Sequence, residues 1–434
     1  MWSDRPSPER LRDLAAALRS VLEDDENRSS TSSVDSCFCV LGEKIFRRPR
    51  ATVTYCGGRA TVAGPRVCIE VSACGFELLQ AMLEAWQGFP DAVLAGFISY
   101  DLASEIEDLG PTPADNFDFP KLHFGLYDSV REDDVAQASA NDVAQALACE
   151  QKALTSGPVN SHPDRACFEA AVQRTVARIY AGEIFQTNLC RCLEAPFEPG
   201  AKWELFQRMR SISPARYEAF LRIDSQRSIL SVSPELFLKV NQGVVESAPI
   251  KGTRPRGESC EQDQALVQDL ASSEKDRAEL AMIVDVVRND LARVCRPGSV
   301  EVVKHADLMT LPTVHHLFST VRGRLRPDAG LVDLLRASFP AASITGAPKI
   351  EAMRVAMREE GRLRGPCMGA IGWISMDGSM ELSVAIRTAL VTNGCVCYYA
   401  GCGITAGSVP ADEFVESDHK AAAFLRALGP RTTE

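Results

Sequence analysis

The sequence predicts an α+β fold. Long amphipathic stretches of helical period and short β-rich runs both occur in it. They do not alternate in the strand–helix–strand rhythm of a doubly wound parallel sheet, and no self-similarity at a solenoid period is present. Of the 434 residues, 45% are hydrophobic and 24% charged, the balance of a folded chain with a large core. The length suits roughly two or three domain-sized units or one large domain.

An amphipathic helix opens the chain, with Leu11, Leu14, Leu18 and Val21 at helical spacing. The polar stretch 24–36 reads as a loop. From Cys37 to Asp128, β-rich runs alternate with turns, among them the stretch ending Ser99-Tyr100-Asp101. A second polar segment, 133–163, ends in Ser-Gly-Pro and Ser-His-Pro-Asp and sets a boundary near residue 160. Residues 1–160 are thus expected to form a β-rich N-terminal region and 161–434 the region that carries the chemistry, the two packed as one unit.

The net charge of −11 argues against nucleic acid or an anionic membrane as the main partner, since both reward basic surface. No run reaches the roughly 18 apolar residues of a membrane span. The N-terminus is charged and broken by Pro6, unlike a signal peptide. With 15 cysteines and no export signal, the expectation is reduced thiols in the cytoplasm. The pairs Cys37/Cys39, Cys190/Cys192 and Cys395/Cys397 have strand spacing, so each sends both thiols to one face, as small buried hydrophobes.

Four segments could carry chemistry. The first is a helix from Glu274 to about Val294, whose apolar stripe is Leu280, Ile283, Val284, Val287, Leu291 and Val294. Glu279 lies at the edge of that stripe, either reaching water from the rim or compensated by something positive. The second is a helix starting near Pro410 with Glu413, Glu416 and Lys420 on one face and Phe414, Ala421, Leu425 and Leu428 on the next. Its acids suit the helix dipole as they stand, or, with Glu279, a hard cation. The third, Gly401-Cys402-Gly403-Ile404-Thr405-Ala406-Gly407, reads as a loop after a strand, a plain turn or an anion-binding nest of amides. The fourth, 247–253, is an extended run reaching Lys251 and Gly252, a solvated lysine or a nucleophile. A fifth segment, Gly365-Pro366-Cys367-Met368-Gly369, has the spacing of a glutaminase elbow but no histidine placed to activate Cys367.

Taken in order, these blocks resemble the chorismate-utilising enzymes of the anthranilate synthase component I family. The resemblance is dense over roughly 160–426. It rests on 182–189, 231–237, 249–253, 278–290, 315–317, 343–349, 385–388 and 401–420. It implies a large fold of antiparallel β-sheets packed as a sandwich with helices outside. Lys251 stands where anthranilate synthases carry alanine and marks the aminodeoxychorismate synthase branch. Gln186 stands where isochorismate and salicylate synthases carry a water-activating lysine, which disfavours hydration.

The resemblance also implies roles. Glu279, Glu413 and Glu416 would hold Mg²⁺. Thr253, Thr345, Gly346, Arg387, Gly401, Gly403 and Lys420 would bind the substrate, chorismate. Lys251 would attack ring carbon C2 as the C4 hydroxyl leaves, Glu235 would donate the proton, ammonia would add at C4, and His316 would assist. Ammonia would come from a separate glutamine amidotransferase subunit. The alternatives are an anthranilate synthase that tolerates lysine and an inactive scaffold that binds an amidotransferase.

Overall fold

The computed structural model describes residues 8–23, 38–128 except 43, 48, 65–67, 90 and 116, and 154–429 except 156. The expected loop at 24–36, most of the polar segment 133–163, and Cys37 lie outside the described residues. The opening helix is present as Pro8–Glu23, with Leu14 and Leu18 buried.

Among the described residues the strands form two sheets, one of nine and one of twelve strands, and every recorded pairing is antiparallel. The larger sheet begins at the edge with Ile250–Pro255, then Val314–Arg324, Val244–Ala248, Leu236–Asn241, Met380–Val384, Ala370–Ser375 and Val93–Ile98. The smaller begins with Gly346–Ala347, Gln186–Pro196, Cys395–Ile404, Thr388–Thr392, Ser228–Ser233 and Tyr217–Arg222. Strands from both sides of residue 160 share each sheet: Val93–Ile98 pairs with Ala370–Ser375, and Phe38–Leu41 with Tyr217–Arg222.

Alternation along the smaller sheet explains the sandwich. Cys190, Cys192, Leu221, Ile229, Cys397 and Tyr399 point into a core shared with the larger sheet. Leu193, Phe220, Leu230, Val396, Tyr398 and Ala400 point the other way, under the helices Lys202–Ile212 and Pro410–Leu428. A strand sends successive side chains to opposite faces, so a continuous apolar run must be covered on both sides. The Cys190/Cys192 pair behaves as its spacing predicts. Each of the thirteen cysteines among the described residues is a free thiol.

The last helix buries Ala421, Phe424, Ala427 and Leu428. Its apolar face is centred on Phe424 rather than Leu425, because the Phe424 ring stacks on Tyr398 at 4.5 Å between centroids. No helix of the described residues is long and apolar enough to cross a membrane.

Arg364 ties the layers together. Its guanidinium donates to both carboxylate oxygens of Glu360 (2.9 and 2.6 Å), to the Asn188 carbonyl (2.7 Å) and to the Ile344 carbonyl (3.2 Å). The buried Asp101, from the early Ser-Tyr-Asp stretch, accepts from the Gly365 amide at 2.7 Å, and burial pushes its carboxyl up to about 7. Arg364→Ala is expected to cost about 3–5 kcal/mol, because it strands the buried Glu360 carboxylate. Denaturant unfolding would register the loss; a shift below about 1 kcal/mol would contradict the structural role assigned to this cluster.

Candidate active site

The site forms where the chain twice crosses between the sheets. Pro234 and Glu235 join Ser228–Ser233 of the smaller sheet to Leu236–Asn241 of the larger, and Ala385–Arg387 makes the opposite crossing from Met380–Val384 to Thr388–Thr392. The crossings are laced side by side. The Val384 amide donates to the Glu235 carbonyl and the Val232 amide to the Arg387 carbonyl, both at 3.1 Å. The Ser233 hydroxyl donates to the Val384 carbonyl at 2.6 Å. Arg387 takes a positive φ of 50° at its corner, uncommon for a residue with a Cβ.

Lys251 lies on the edge strand Ile250–Pro255. The register against Val314–Arg324 slips between Lys251, opposite Leu317, and Thr253, opposite His316. Gly252 fills the slip with φ of 74°. Such a bulge bends a strand and redirects its side chains. A Cβ built on Gly403 would lie 2.4 Å from the Gln186 amide nitrogen and 3.4 Å from the Lys251 Nζ, so glycine keeps open the space into which both side chains reach. At Gly401 a Cβ would meet the Cys190 sulfur at 2.6 Å and the Asn188 amide at 2.8 Å.

Burial disfavours the ammonium form and lowers the Lys251 pKa, while Glu279 and Glu235 nearby pull it back up. Glu235 is 3% exposed. Burial raises its carboxyl to about 7 against the pull of Ser343, Lys251 and Arg387. The Ser343 hydroxyl sits beside it without closing a well-formed hydrogen bond.

His316 is buried, and burial with the neighbouring Arg387 lowers its pKa to about 3. Its Nε2 faces an Arg387 guanidinium N–H at 3.0 Å and so must accept, which assigns the proton to Nδ1. Nδ1 then donates to Thr253 Oγ1 at 2.9 Å. His316 is therefore a neutral strut that fixes Arg387 and Thr253. Its neighbour His315 is engaged elsewhere, with Asp263 at 2.9 Å.

The helix Glu274–Ala292 starts on a Ser273 cap, whose hydroxyl accepts from the Asp276 amide, and presents Glu279 half-buried toward Lys251. From Pro410–Leu428, Glu413 is buried and accepts from the Ser408 hydroxyl at 2.6 Å, while Glu416 pairs with Lys420 at 2.7 Å. Burial raises Glu279, and Glu416 adds to that shift. Burial also raises Glu413. Burial works against the charge on Glu416 as well, but Lys420, Lys275 and Lys251 outweigh it and hold that carboxyl low.

One oxygen each of Glu413 and Glu416 lies within 4.8 Å of the other and of the Cys402 sulfur. Burial keeps that thiol protonated, and it donates to the Glu413 carbonyl. The donors left are the Glu413 and Glu416 carboxylates, which repel one another and suit a hard divalent cation; Glu279, expected as the third, does not come within that distance of both.

The substrate-binding expectations divide. Lys420 Nζ donates to the Gly401 carbonyl at 2.9 Å, and Arg387 faces His316 and, at 3.5 Å, Ser213. The Thr345 hydroxyl is turned to the Ala341 and Ala342 carbonyls, and Gly346 lets the chain pass so close to Gln186 that a Cβ would lie 2.1 Å from its carbonyl. The expected loop at 401–407 is strand as far as Ile404, because Gln186–Pro196 pairs with it to its end; the turn begins only at Thr405. Cys367 is buried, and burial pushes its thiol far up.

Gln186 was legible as a branch marker but not as a site residue. The signal was its alternation with Asn188 and Cys190, three polar or thiol groups on one face of a buried strand.

The profile of chorismate binding enzymes matches residues 34–426. A protein of Salmonella typhimurium called aminodeoxychorismate synthase component 1 is 35% identical over 401 residues, 88% of each chain. An aminodeoxychorismate synthase of Streptomyces griseus is 44% identical over 280 residues, and the match spans 64% of this chain but only 38% of that longer protein. The crystal structure of anthranilate synthase component I from Streptococcus pneumoniae superposes with a TM-score of 0.72 at 28% identity, covering 92% of this chain and 94% of the other.

Proposed function

The chain belongs to the chorismate binding enzyme family, and from that premise we propose that it replaces the C4 hydroxyl of chorismate with an amine, giving 4-amino-4-deoxychorismate. The observation that carries this reading is Lys251, whose burial favours the neutral amine in a cleft it shares with Glu235 and Gln186. The names of the Salmonella and Streptomyces griseus relatives favour it too.

The neutral Lys251 amine bonds to C2, the ring double bonds shift, and the C4–O bond breaks. Glu235, protonated up to about pH 7, gives its proton to the departing hydroxyl, which leaves as water. Ammonia then bonds to C4, the double bonds shift back, and the C2–N bond breaks to release Lys251 as amine. Glu235 takes the excess proton from the new ammonium group. The sum exchanges ammonia for water and leaves the enolpyruvyl ether intact. Splitting one allylic substitution into two lowers each barrier.

Arg387, held by His316, suits bidentate binding of a substrate carboxylate, with Lys420 and the strand at Gly401 and Gly403 beside it. Glu279, Glu413 and Glu416 would hold Mg²⁺, whose charge, when bound, offsets the ring carboxylate and draws electron density from the ring. Ammonia is supplied by a separate glutamine amidotransferase subunit in this proposal, and the thiol-rich chain works in the cytoplasm.

Incubation with chorismate, Mg²⁺ and ammonium, followed by mass spectrometry and NMR, tests the assignment. An aminated product that retains the enolpyruvyl group is expected. Anthranilate with released pyruvate would establish the alternative reaction, and no turnover would leave a scaffold.

A further inference from the structure

A small cavity adjoins Glu235, lined among others by Ser247, Val287, Asp290, Ser338 and Ser343. It leaves about 10 Å³ for the centre of a water-sized molecule, enough for water and far too little for a six-membered ring. Two of its lining groups are unsatisfied. Ser338 and Ser343 are 4% and 6% exposed; among the described residues the Ser338 hydroxyl has no hydrogen-bond partner, and the Ser343 hydroxyl has only its poorly formed contact with Glu235. Buried hydroxyls seldom stay unpaired, and two of them on one cavity mark a place for a molecule that both donates and accepts. The same cavity touches Asp290, whose carboxylate holds Lys349 at 2.6 Å; Lys349 also donates to the Ser338 and Pro340 carbonyls at 2.7 and 2.9 Å.

We propose that this cavity holds a resident water that bridges the Ser338 and Ser343 hydroxyls and links Glu235 to the Asp290–Lys349 pair. This rests on the reading of Glu235 as proton donor. A serine hydroxyl has a single proton. With the water donating to the Ser343 oxygen, that proton is free to point at one oxygen of Glu235, which leaves the other oxygen to carry the acidic proton toward substrate. Ser338 and Ser343 are then positioning residues for the acid. The charged groups facing the Glu235 carboxyl are Lys251 and Arg387, with Asp290 and Lys349 across the cavity.

A high-resolution crystal structure of the full chain tests the site, and kinetics test the coupling. One density peak is expected within about 3.2 Å of both serine oxygens; an empty cavity overturns the proposal. Ser338→Val fills the space and removes the hydroxyl. It should expel the water, lower kcat about tenfold, leave KM for chorismate unchanged and displace the pH limb belonging to Glu235. If that variant does not fold, Ser343→Ala, which breaks the bridge without adding volume, carries the same expectation. A folded variant with unaltered kcat and pH profile refutes the coupling. Failure of the wild type to make an aminated product would instead refute the function and leave the density peak as an independent result.

Discussion

Lys251→Ala is expected to cut ammonia-dependent amination by about 10⁴-fold or more while chorismate binding changes only a few-fold. The asymmetry follows from the proposed role. The amine forms and breaks a bond to the ring, whereas the carboxylates of the substrate are assigned to Arg387, Lys420 and the metal. Mass spectrometry of wild-type protein quenched during turnover should find a chorismate-derived adduct on Lys251, and the variant should carry none. Full activity in the variant would remove the covalent step.

The pH profile of the wild type follows from the same two groups. Raising the pH through about 7 ionises Glu235 and withdraws the proton donor. Lowering it protonates Lys251, whose burial has moved that loss below the ordinary lysine range. The rate should therefore fall on both sides of a maximum. His316, already neutral with a pKa near 3, should add no limb between pH 5 and 9.

Glu279→Gln and Glu416→Gln should each weaken Mg²⁺ binding by about 100-fold. A ligand that binds only the folded state raises its stability in proportion to the logarithm of its concentration over Kd. The readout is therefore the Mg²⁺-dependent rise in Tm, which needs no turnover: present in the wild type, lost in the variants at the same concentration. Glu416→Gln also breaks the 2.7 Å pair with Lys420. Glu279→Gln, whose carboxylate makes no ion pair with Lys420 among the described residues, separates loss of a metal ligand from loss of that contact. An unchanged Mg²⁺ titration in either variant would strike that residue from the ligand set.

Much of the local structure was legible because it depends on spacing. The stripe Leu280, Ile283, Val284, Val287 and Leu291 is buried as its period requires, and Pro410 opens the last helix at the expected place. Glu413, Glu416 and Lys420 share a face because residues three and four apart must do so. Strand pairing was less legible. Gly401–Ile404 lacks the side chains that mark a strand, yet it is one, because Gln186–Pro196 supplies the hydrogen bonds and its side chains occupy the space above the glycines.

The sequence by itself determined the α+β class, the apolar stripe of the helix Glu274–Ala292 and the shared face of Glu413, Glu416 and Lys420, all of which follow from the order of residues along the chain. Only the tertiary structure decided how those pieces act together. It put Glu235 and Arg387 on adjacent crossings between the sheets. It made His316 a neutral strut between Arg387 and Thr253, and it turned Lys251 inward through the bulge at Gly252. These outcomes depend on desolvation and on contacts between segments roughly 60 to 150 residues apart in the chain. A local pattern carries neither, since the cost of burying a charge is set by what the rest of the chain places around it.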